Sequence, residues 1–361
     1  MADRSKSAKK SGKPGAPRVP GPNLLKDALA RRLMRRTVAQ GSITIPAVPG
    51  MLDLYVDVCT RMFLALGRAF TPEERVHARE ILANKLSEAF AGSPRSHVTI
   101  RYNAPVGTVL TYEVSAEVAT VAAAYEHWIS SRTPPLFGTH PDARVMALAE
   151  ELTEPASSPV LDIGAGTGRN ALALARRGHP VDAVEMTPKF AEMLQADAAK
   201  ENLTLRVIQR DMFEASEELR HDYRLILLSE VLSDFRGTDE LRQLFELASG
   251  ALAVGGALVF NVHVAAQGYT PDKAAREFSQ QCYAMLYTYH ELAQAADGLP
   301  LARVADDSVY EYEKANLPEE AWPPTGWYAE WVAGQDVFDL ARELCPAEMR
   351  WLVYRKTAEG T

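Results

Sequence analysis

The chain has 361 residues, with 39 Lys and Arg against 47 Asp and Glu, which gives a formal net charge of −8. This length allows two domains of about 150 residues each, and an apolar fraction of 47% can fill a sizeable core. No run approaches the roughly 20 apolar residues of a membrane span, and the N-terminus lacks the apolar core of a secretory signal, so no membrane partner is expected. Three widely spaced cysteines, Cys59, Cys282 and Cys345, argue against a disulfide or zinc framework and favour a cytoplasmic location.

The positive charge is concentrated at the N-terminus. Residues 1–36 carry eleven Lys and Arg against two acids, so the rest of the chain is strongly acidic. Residues 1–22 are rich in Lys, Ser, Gly and Pro and are predicted to form a disordered basic tail, because they hold too little apolar surface to bury. Nucleic acid is disfavoured as a partner, since an acidic body repels it.

Residues 23–130 predict an accessory domain that is mostly helical and contains a β-hairpin. Apolar residues at helical spacing predict three helices, over residues 24–39, 51–69 and 72–91. Period-two alternation predicts the hairpin, from residues 97–102 and 108–114, before a fourth helical stretch at 116–129. We expect this domain to pack on the rest of the chain and to cover an active site, bind substrate or form a homodimer.

Residues 160–170 combine a buried strand, an acid and a glycine turn that opens a helix. Asp162 lies at the end of the strand, and Gly164, Gly166 and Gly168 let the backbone turn sharply and approach a ligand with no Cβ in the way. A lone glycine triplet would also fit any tight strand-to-helix turn. The helix N-terminus after the turn offers unpaired N–H groups to an anionic ligand group.

Later strands repeat this pattern. Two apolar runs end in acids, at Glu185 and Asp211, and a longer apolar run covers residues 223–232. A helix and a strand follow on either side of Gly255-Gly256, and the last two strands are expected at residues 307–313 and 349–356. Strands alternating with helices predict an α/β fold with a doubly wound sheet and a ligand at the carboxyl ends of its strands.

The pattern D-x-G-x-G-x-G at residues 162–168 resembles motif I of the class I S-adenosylmethionine-dependent methyltransferase family. This resemblance implies a Rossmann-like, seven-stranded methyltransferase sheet over residues 131–361 and S-adenosyl-L-methionine as cofactor. By the same resemblance, Glu185 would hold the ribose diol, and Asp211 with Met212 would frame the adenine. The implied cofactor-binding residues are Asp162, Gly164, Gly166, Gly168, Glu185, Met186, Asp211, Met212 and Ser229.

Arg169 bears on two alternatives. It stands where a dinucleotide-binding turn has its third glycine, which disfavours an NAD-dependent enzyme. The G-R-N at residues 168–170 is locally similar to the tellurite-resistance branch of the methyltransferase family. Its guanidinium would reach an oxyanion or lie exposed.

The acceptor side of the site is less defined by sequence. Methyl transfer is an in-line displacement, and a base is needed only when the acceptor must lose a proton. Glu230 and His263, which follow the fourth and fifth strands, are the candidate catalytic residues, and Asp234 is a further candidate. Glu230 touching the methionine part of the cofactor, Asp234 capping the next helix and His263 as an ordinary strand-end residue are the alternatives.

Three groups of residues, mostly aromatic, are candidates for pocket walls, although core packing also explains them. They are Tyr125, Trp128, Arg132 and Phe137 before the first strand of the sheet, residues 322–331 between the last two, and Tyr283, Tyr287 and His290 on one face of a helix. No cluster predicts a metal site.

These features predict an S-adenosylmethionine-dependent methyltransferase that acts on a small-molecule acceptor. A protein or nucleic-acid methyltransferase is an alternative, although the N-P-P-Y-like tetrad of amino-methylating DNA enzymes is absent at residues 229–232. A cofactor-binding regulatory protein of the same fold is a third possibility. The acceptor atom and the oligomeric state stay open at this stage.

Overall fold

A computed structural model describes residues 19–106, 110–119 and 136–358. Its N-terminal part combines three helices with a three-stranded antiparallel sheet. The helices are α1 (Pro22–Met34), α2 (Leu52–Ala65) and α3 (Pro72–Gly92), and the strands are β1 (Ala39–Pro46), β2 (His97–Ala104) and β3 (Thr111–Glu117). The predicted helical stretch at 116–129 begins within β3, has no regular structure at residues 118–119, and lies outside the described residues from residue 120 on, as do residues 1–18 of the basic tail.

The start of α3 follows directly from its sequence. The hydroxyl of Thr71 accepts the N–H of Glu74 at 3.2 Å, and the Glu74 carboxylate accepts the N–H of Thr71 at 2.8 Å. This capping box, with Pro72 at the first helical position, satisfies N–H groups that a helix otherwise leaves unpaired.

The N-terminal part differs from the prediction in one strand. The predicted helix over 24–39 ends at Met34, and residues 39–46 form β1, which extends the predicted hairpin to three strands. The strand is only half buried, and Gly41 interrupts its alternation of apolar and polar residues. It pairs with β2 from Ala39 opposite Ala104 to Pro46 opposite His97, partners 65 to 51 residues apart, and local periodicity does not reveal such a distant partner.

Helix α1 does not pack on the core as expected. None of its residues is buried, and Leu24, Leu29 and Leu33 are each more than half exposed. The apolar side of this helix is therefore a surface feature of the described chain.

The rest of the described chain forms one doubly wound sheet with helices on both faces, as predicted. The strands run in the order β10-β11-β8-β7-β4-β5-β6, and only β11 lies antiparallel to its neighbours. These strands are β4 (Val160–Ile163), β5 (Val181–Val184), β6 (Leu205–Ile208), β7 (Tyr223–Leu228), β8 (Leu252–Ala265), β10 (Leu301–Ser308) and β11 (Ala347–Lys356). The helices are α4 (Ala143–Glu150), α5 (Arg169–Arg176), α6 (Pro188–Lys200), α7 (Thr238–Ala251), α8 (Lys273–Gln281), α9 (Tyr289–Ala296), α10 (Val309–Asn316) and α11 (Tyr328–Val332).

Two predicted elements near the C-terminus are wrong. Residues 307–313 were expected as a strand, but β10 ends at Ser308 and α10 follows. Tyr283, Tyr287 and His290 were expected on one helix face, but Tyr287 belongs to the short strand β9 (Leu286–Tyr287), which pairs with β8. The predicted strand at 349–356 is confirmed within β11.

Specific contacts hold the N-terminal part against the sheet. The N–H of Gly50 donates to Oε2 of Glu277 at 2.6 Å, and Nε2 of Gln281 donates to the carbonyl of Ser96 at 2.8 Å. A Cβ on Gly50 would lie 2.7 Å from the Cα of Ala274, so the two backbones touch there. No helix within 19–106, 110–119 or 136–358 is long and apolar enough to cross a membrane.

Candidate cofactor and acceptor site

A cleft of about 600 Å³ opens at the carboxyl ends of β4 to β7. Ligands of doubly wound sheets bind at this edge. Of the predicted cofactor residues, the cleft is lined by Asp162, Gly164, Gly166, Glu185, Met186, Asp211, Met212 and Ser229. Gly168 does not line the cleft.

The turn after β4 requires glycine at two positions. Gly164 has a φ of 69°, and a Cβ there would lie 2.4 Å from Cγ2 of Val231. Gly168 has a φ of 92°, and a Cβ there would lie 2.4 Å from Cδ1 of Leu194. Because both the backbone conformation and the available space exclude a side chain, the turn keeps a bare backbone beside the cleft.

Two acids at the strand ends are anchored by backbone N–H groups. Oε2 of Glu185 accepts the N–H of Gly166 at 2.8 Å, and Oε1 accepts the N–H of Thr187 at 2.7 Å. Oδ1 of Asp211 accepts the N–H of Phe213 at 2.9 Å. A carboxylate has about four acceptor positions, so each acid keeps capacity for a ligand.

The other predicted residues differ widely in exposure. Asp162 is 3% exposed, and burial, with the nearby charge of Asp142, raises the pKa of its carboxyl well above the usual range. Met212 is buried, whereas Met186 is 57% exposed. Phe137 lies over the glycine turn, on the apolar side of the cleft.

Arg169 is buried among acids and does not lie exposed. Its Nη2 is 2.9 Å from Oε1 of Glu230, 3.0 Å from Oδ1 of Asp142 and 3.2 Å from Oγ of Ser229. Asn170 binds the same aspartate, because its Nδ2 donates to Oδ2 of Asp142 at 2.7 Å and its Oδ1 accepts the Asp142 N–H at 2.9 Å. Burial acts to lower the pKa of Arg169, but the charges of Asp142 and Glu230 outweigh that effect and raise the pKa.

Sequence reasoning missed Asp142, although the side chains at the G-R-N positions hold it. Asp142 lies 27 residues before Arg169 and precedes α4. The G-R-N motif contains both partners of Asp142, Arg169 and Asn170. It does not indicate how far away in the sequence the acid that they bind lies.

Glu230 reaches the cleft from a strained backbone. Its φ is 64°, a conformation uncommon for non-glycine residues, and its N–H donates to Oδ1 of Asn261 at 2.6 Å. Burial raises the pKa of the Glu230 carboxyl, and the charge of Arg169 opposes that rise only in part. A carboxyl whose pKa is raised by burial holds a proton more readily than an ordinary glutamate does, which suits it to proton transfer.

His263 lies beneath the cleft and does not line it. The ring is 1% exposed, and its Nε2 is 2.8 Å from the carbonyl oxygen of Trp331. Since a carbonyl only accepts, Nε2 donates. Burial lowers the pKa of His263 to about 4, so the ring is neutral at pH 7. Its surroundings are those of a core side chain.

We expect His263 to make unfolding pH-dependent. Between pH 4 and 6.5 the unfolded chain binds the proton that the folded chain excludes, so stability falls as the pH is lowered through this window. The shift amounts to about 3 kcal/mol. In urea unfolding, His263→Gln should lose that part of the pH dependence, while His290→Gln, at an exposed position, should keep it. A constant difference between His263→Gln and the parent from pH 7 to pH 4 would contradict this assignment.

Glu313 supports the site from behind. This fully buried carboxylate accepts the N–H of Ala143 at 2.8 Å, the N–H of Arg144 at 3.2 Å and Nε1 of Trp351 at 2.9 Å. Burial, with the charge of Asp142, raises its pKa to about 7. Glu313 thereby fixes the first turn of α4 directly after the aspartate that holds Arg169 and Asn170.

The far end of the cleft is aromatic and includes one residue from the N-terminal part. The lining there contains Tyr283, Trp327 and Trp331. Arg95 is 8% exposed, pairs through Nη2 with Oδ1 of Asp234, and lies 3.7 Å above the Tyr283 ring. Asp234 therefore faces the cleft and does not cap α7, whose N-cap is at position 237. The predicted Tyr125, Trp128 and Arg132 lie outside the described residues.

Acids outnumber bases around the cleft. The carboxylates that line it belong to Asp162, Glu185, Asp211, Glu230, Asp234, Glu240 and Asp336, and the guanidinium groups to Arg95, Arg169 and Arg210. Within the described ranges, no group of three or more His, Cys, Asp and Glu side chains is arranged to hold a metal ion.

The strand order, the glycine turn and the acid-lined cleft agree with the class I S-adenosylmethionine-dependent methyltransferase fold that the sequence resembles. A family model described as "Methyltransferase domain" matches residues 160–256, which run from the start of β4 into β8. This part of the chain thus matches a methyltransferase domain.

Two curated proteins match parts of the chain. A protein of Geobacillus sp. (strain WCH70), provisionally named a methyltransferase, is 30% identical over 104 residues. A tRNA1(Val) (adenine(37)-N6)-methyltransferase of Yersinia enterocolitica is 38% identical over 73 residues. The matches cover 29% and 19% of this chain, and the chain spans only 42% and 29% of those relatives.

Two solved structures are also similar. A geranyl diphosphate methyltransferase in complex with S-adenosylmethionine has 15% identity and a TM-score of 0.47, over 60% of this chain and 85% of that one. A protein of Galdieria sulphuraria, provisionally named a sarcosine dimethylglycine methyltransferase, has 16% identity and a TM-score of 0.46. The match covers 65% of this chain and 98% of that one.

Proposed function

We propose that this chain transfers a methyl group from S-adenosylmethionine to a small-molecule acceptor held in the cleft. The observation that carries the proposal is the continuity of that cleft. One end combines the glycine turn with Glu185 and Asp211, and the other end is aromatic and closed in part by Arg95.

The residues at the first end fit the cofactor. The glycine turn lets the backbone approach it, and Glu185 and Asp211 keep acceptor positions for ribose hydroxyls and the exocyclic amine of adenine. Phe137 adds apolar surface over the turn. The cofactor supplies a methyl group on a sulfonium, and the chain binds and orients it and excludes water.

Glu230 is the group we assign to proton transfer. It lines the cleft between the two ends, its pKa is raised by burial, and Arg169 fixes the position of its carboxylate. An acceptor that carries a proton on its reacting atom would give that proton to Glu230.

A small acceptor agrees better with the cleft than a macromolecule does. A volume of about 600 Å³ lies in the usual range for small-molecule sites. Arg95 comes from the N-terminal part, so two parts of the chain build the wall of the cleft.

The predicted homodimer would bring two such sites together, and light scattering of the purified protein tests it.

Calorimetric titration tests the proposal at the cofactor. We expect S-adenosylmethionine and S-adenosylhomocysteine to bind and NAD not to bind. Incubation with S-adenosylmethionine and metabolite extracts should then yield products heavier by one methyl group. Binding of NAD without any response to S-adenosylmethionine would overturn the proposal, and binding without turnover would favour a regulatory protein.

We expect Glu185→Ala to weaken S-adenosylmethionine binding at least tenfold. The substitution removes charge-assisted hydrogen bonds to the ribose, each worth about 1.5–3 kcal/mol before relaxation. Glu192→Ala, at an exposed position on α6, is the matched control and should bind as the parent does. Equal affinity of the Glu185 variant and the parent would remove Glu185 from the cofactor site.

A further inference from the structure

We infer that the acceptor is a cation, an amine in its ammonium form, which binds on the aromatic end of the cleft beside Asp336. The inference rests on the proposed methyl transfer and names its substrate class. Its evidence is the aromatic surface, the charge balance and the backbone strain at that end.

The aromatic end brings three rings close together: Tyr283 is exposed and carries Arg95 on one face, Trp327 is partly buried, and Trp331 is 4% exposed. The rings of Trp327 and Trp331 lie 5.4 Å apart, and Nε1 of Trp331 donates to the carbonyl oxygen of Tyr283 at 3.0 Å. Tyr283 is 42% exposed and has a φ of 55°. A strained, exposed tyrosine beside two tryptophans is typical of a site that binds a ligand, and such faces attract cations.

The charges at this end favour a positive ligand. Arg95, the guanidinium on this side, is already paired with Asp234 and stacked on Tyr283. Asp336 lines the cleft, and within the described part of the chain it makes no hydrogen bond or ion pair. Asp336 is an exposed residue, and partial desolvation with the charge of Glu330 raises the pKa of its carboxyl, so a cation bound beside it would favour its charged form.

Carboxylates elsewhere in the cleft are already engaged or belong to the cofactor end. Glu230 is held by Arg169, and Glu240 accepts the N–H of Arg236. Asp336 is therefore the acid left to neutralise a ligand. An anionic acceptor would meet an excess of carboxylates with no guanidinium that is not already paired with one.

The chemistry balances with the residues present. The ammonium gives its proton to Glu230, and the nitrogen lone pair then forms the new N–C bond. The electron pair of the breaking C–S bond goes to sulfur, which becomes a neutral thioether.

The test uses the full chain saturated with S-adenosylhomocysteine, so that the cofactor end is filled. Choline is the cationic probe, 3,3-dimethylbutan-1-ol is its neutral isostere, and 3,3-dimethylbutanoate is the anionic one. We expect choline to quench tryptophan fluorescence and to bind at least about tenfold more tightly than the other two. Equal binding of choline and its isostere, preference for the anion, or no binding of choline would overturn the inference.

Two variants locate the effect. Asp336→Asn should weaken choline binding about threefold to tenfold, whereas Asp339→Asn, an identical charge change three residues away and outside the cleft lining, should leave it unchanged. Equal effects of the two variants would mean that choline responds to the net charge of the protein and that Asp336 is not part of a binding site. S-adenosylhomocysteine binding is measured separately, so loss of choline binding with intact S-adenosylhomocysteine binding rejects the cation site alone. If S-adenosylhomocysteine itself does not bind, the methyltransferase proposal fails, and the same choline titration of the free chain still decides the cation site.

Discussion

Replacing Arg169 by Met is expected to lower the free energy of unfolding by about 3–5 kcal/mol. The guanidinium is 8% exposed and lies between Asp142 and Glu230, so its removal leaves two buried carboxylates without a cation. Arg169→Lys should recover part of the loss, because an ammonium keeps the charge but not the geometry of the guanidinium.

The pH dependence of this variant gives a second measurement. In Arg169→Met, Asp142 and Glu230 take up protons more readily in the folded chain. The loss of unfolding free energy should therefore be smaller at pH 5 than at pH 8. Arg176 lies on the same helix as Arg169, and Arg176→Met, which removes its exposed ion pair with Glu201, should cost at most about 1 kcal/mol. If urea unfolding gives equal losses for the two variants, the buried network contributes no more than a surface pair.

Gly164→Ala is expected to cost about 2–5 kcal/mol and to abolish cofactor binding. A residue with a side chain pays about 1–2 kcal/mol for a left-handed backbone. The added methyl group also meets Cγ2 of Val231 at 2.4 Å, and overpacking typically costs about 1–3 kcal/mol. The turn would have to shift, and the backbone that approaches the cofactor would shift with it.

Two further variants separate these causes. Adding Val231→Ala to Gly164→Ala should restore the part of the stability lost to overpacking and leave the backbone part. Gly250→Ala, in α7 with nothing within 4 Å of the added carbon, should raise stability by a few tenths of a kcal/mol or more. A Gly164 variant that melts and binds like the parent would show that the turn tolerates a side chain.

The strands, the glycine turn and the acids of the proposed cofactor site could be predicted from the sequence because each is specified by neighbouring residues. β5 and β6 carry an acid one and three residues after their last apolar position, at Glu185 and Asp211, and the glycines mark the turn after β4 directly. The left-handed conformation at Gly164 explains why the pattern needs glycine there. A turn or strand end of this kind is determined by consecutive residues and can therefore be recognised in the sequence.

The parts that sequence reasoning missed depend on distant partners. β1 is stabilised by pairing with β2, and Arg95 meets Asp234 across 139 positions. Residues 309–313 alternate as a strand would, yet they turn into α10, whose Glu313 is buried against Trp351 and the start of α4. Periodicity predicts which face of a helix or strand a residue occupies, but it does not predict which distant residue packs against that face.

Glu313 also links the order of synthesis to the assembly of the site. It joins the first turn of α4 to Trp351 in β11, and α4 begins directly after the aspartate that holds Arg169. A ribosome releases the glycine turn almost two hundred residues before β11 is complete. We therefore expect the proposed cofactor site to be complete only when the last strand enters the sheet between β8 and β10, so that a chain ended before β11 carries every motif residue without their native arrangement.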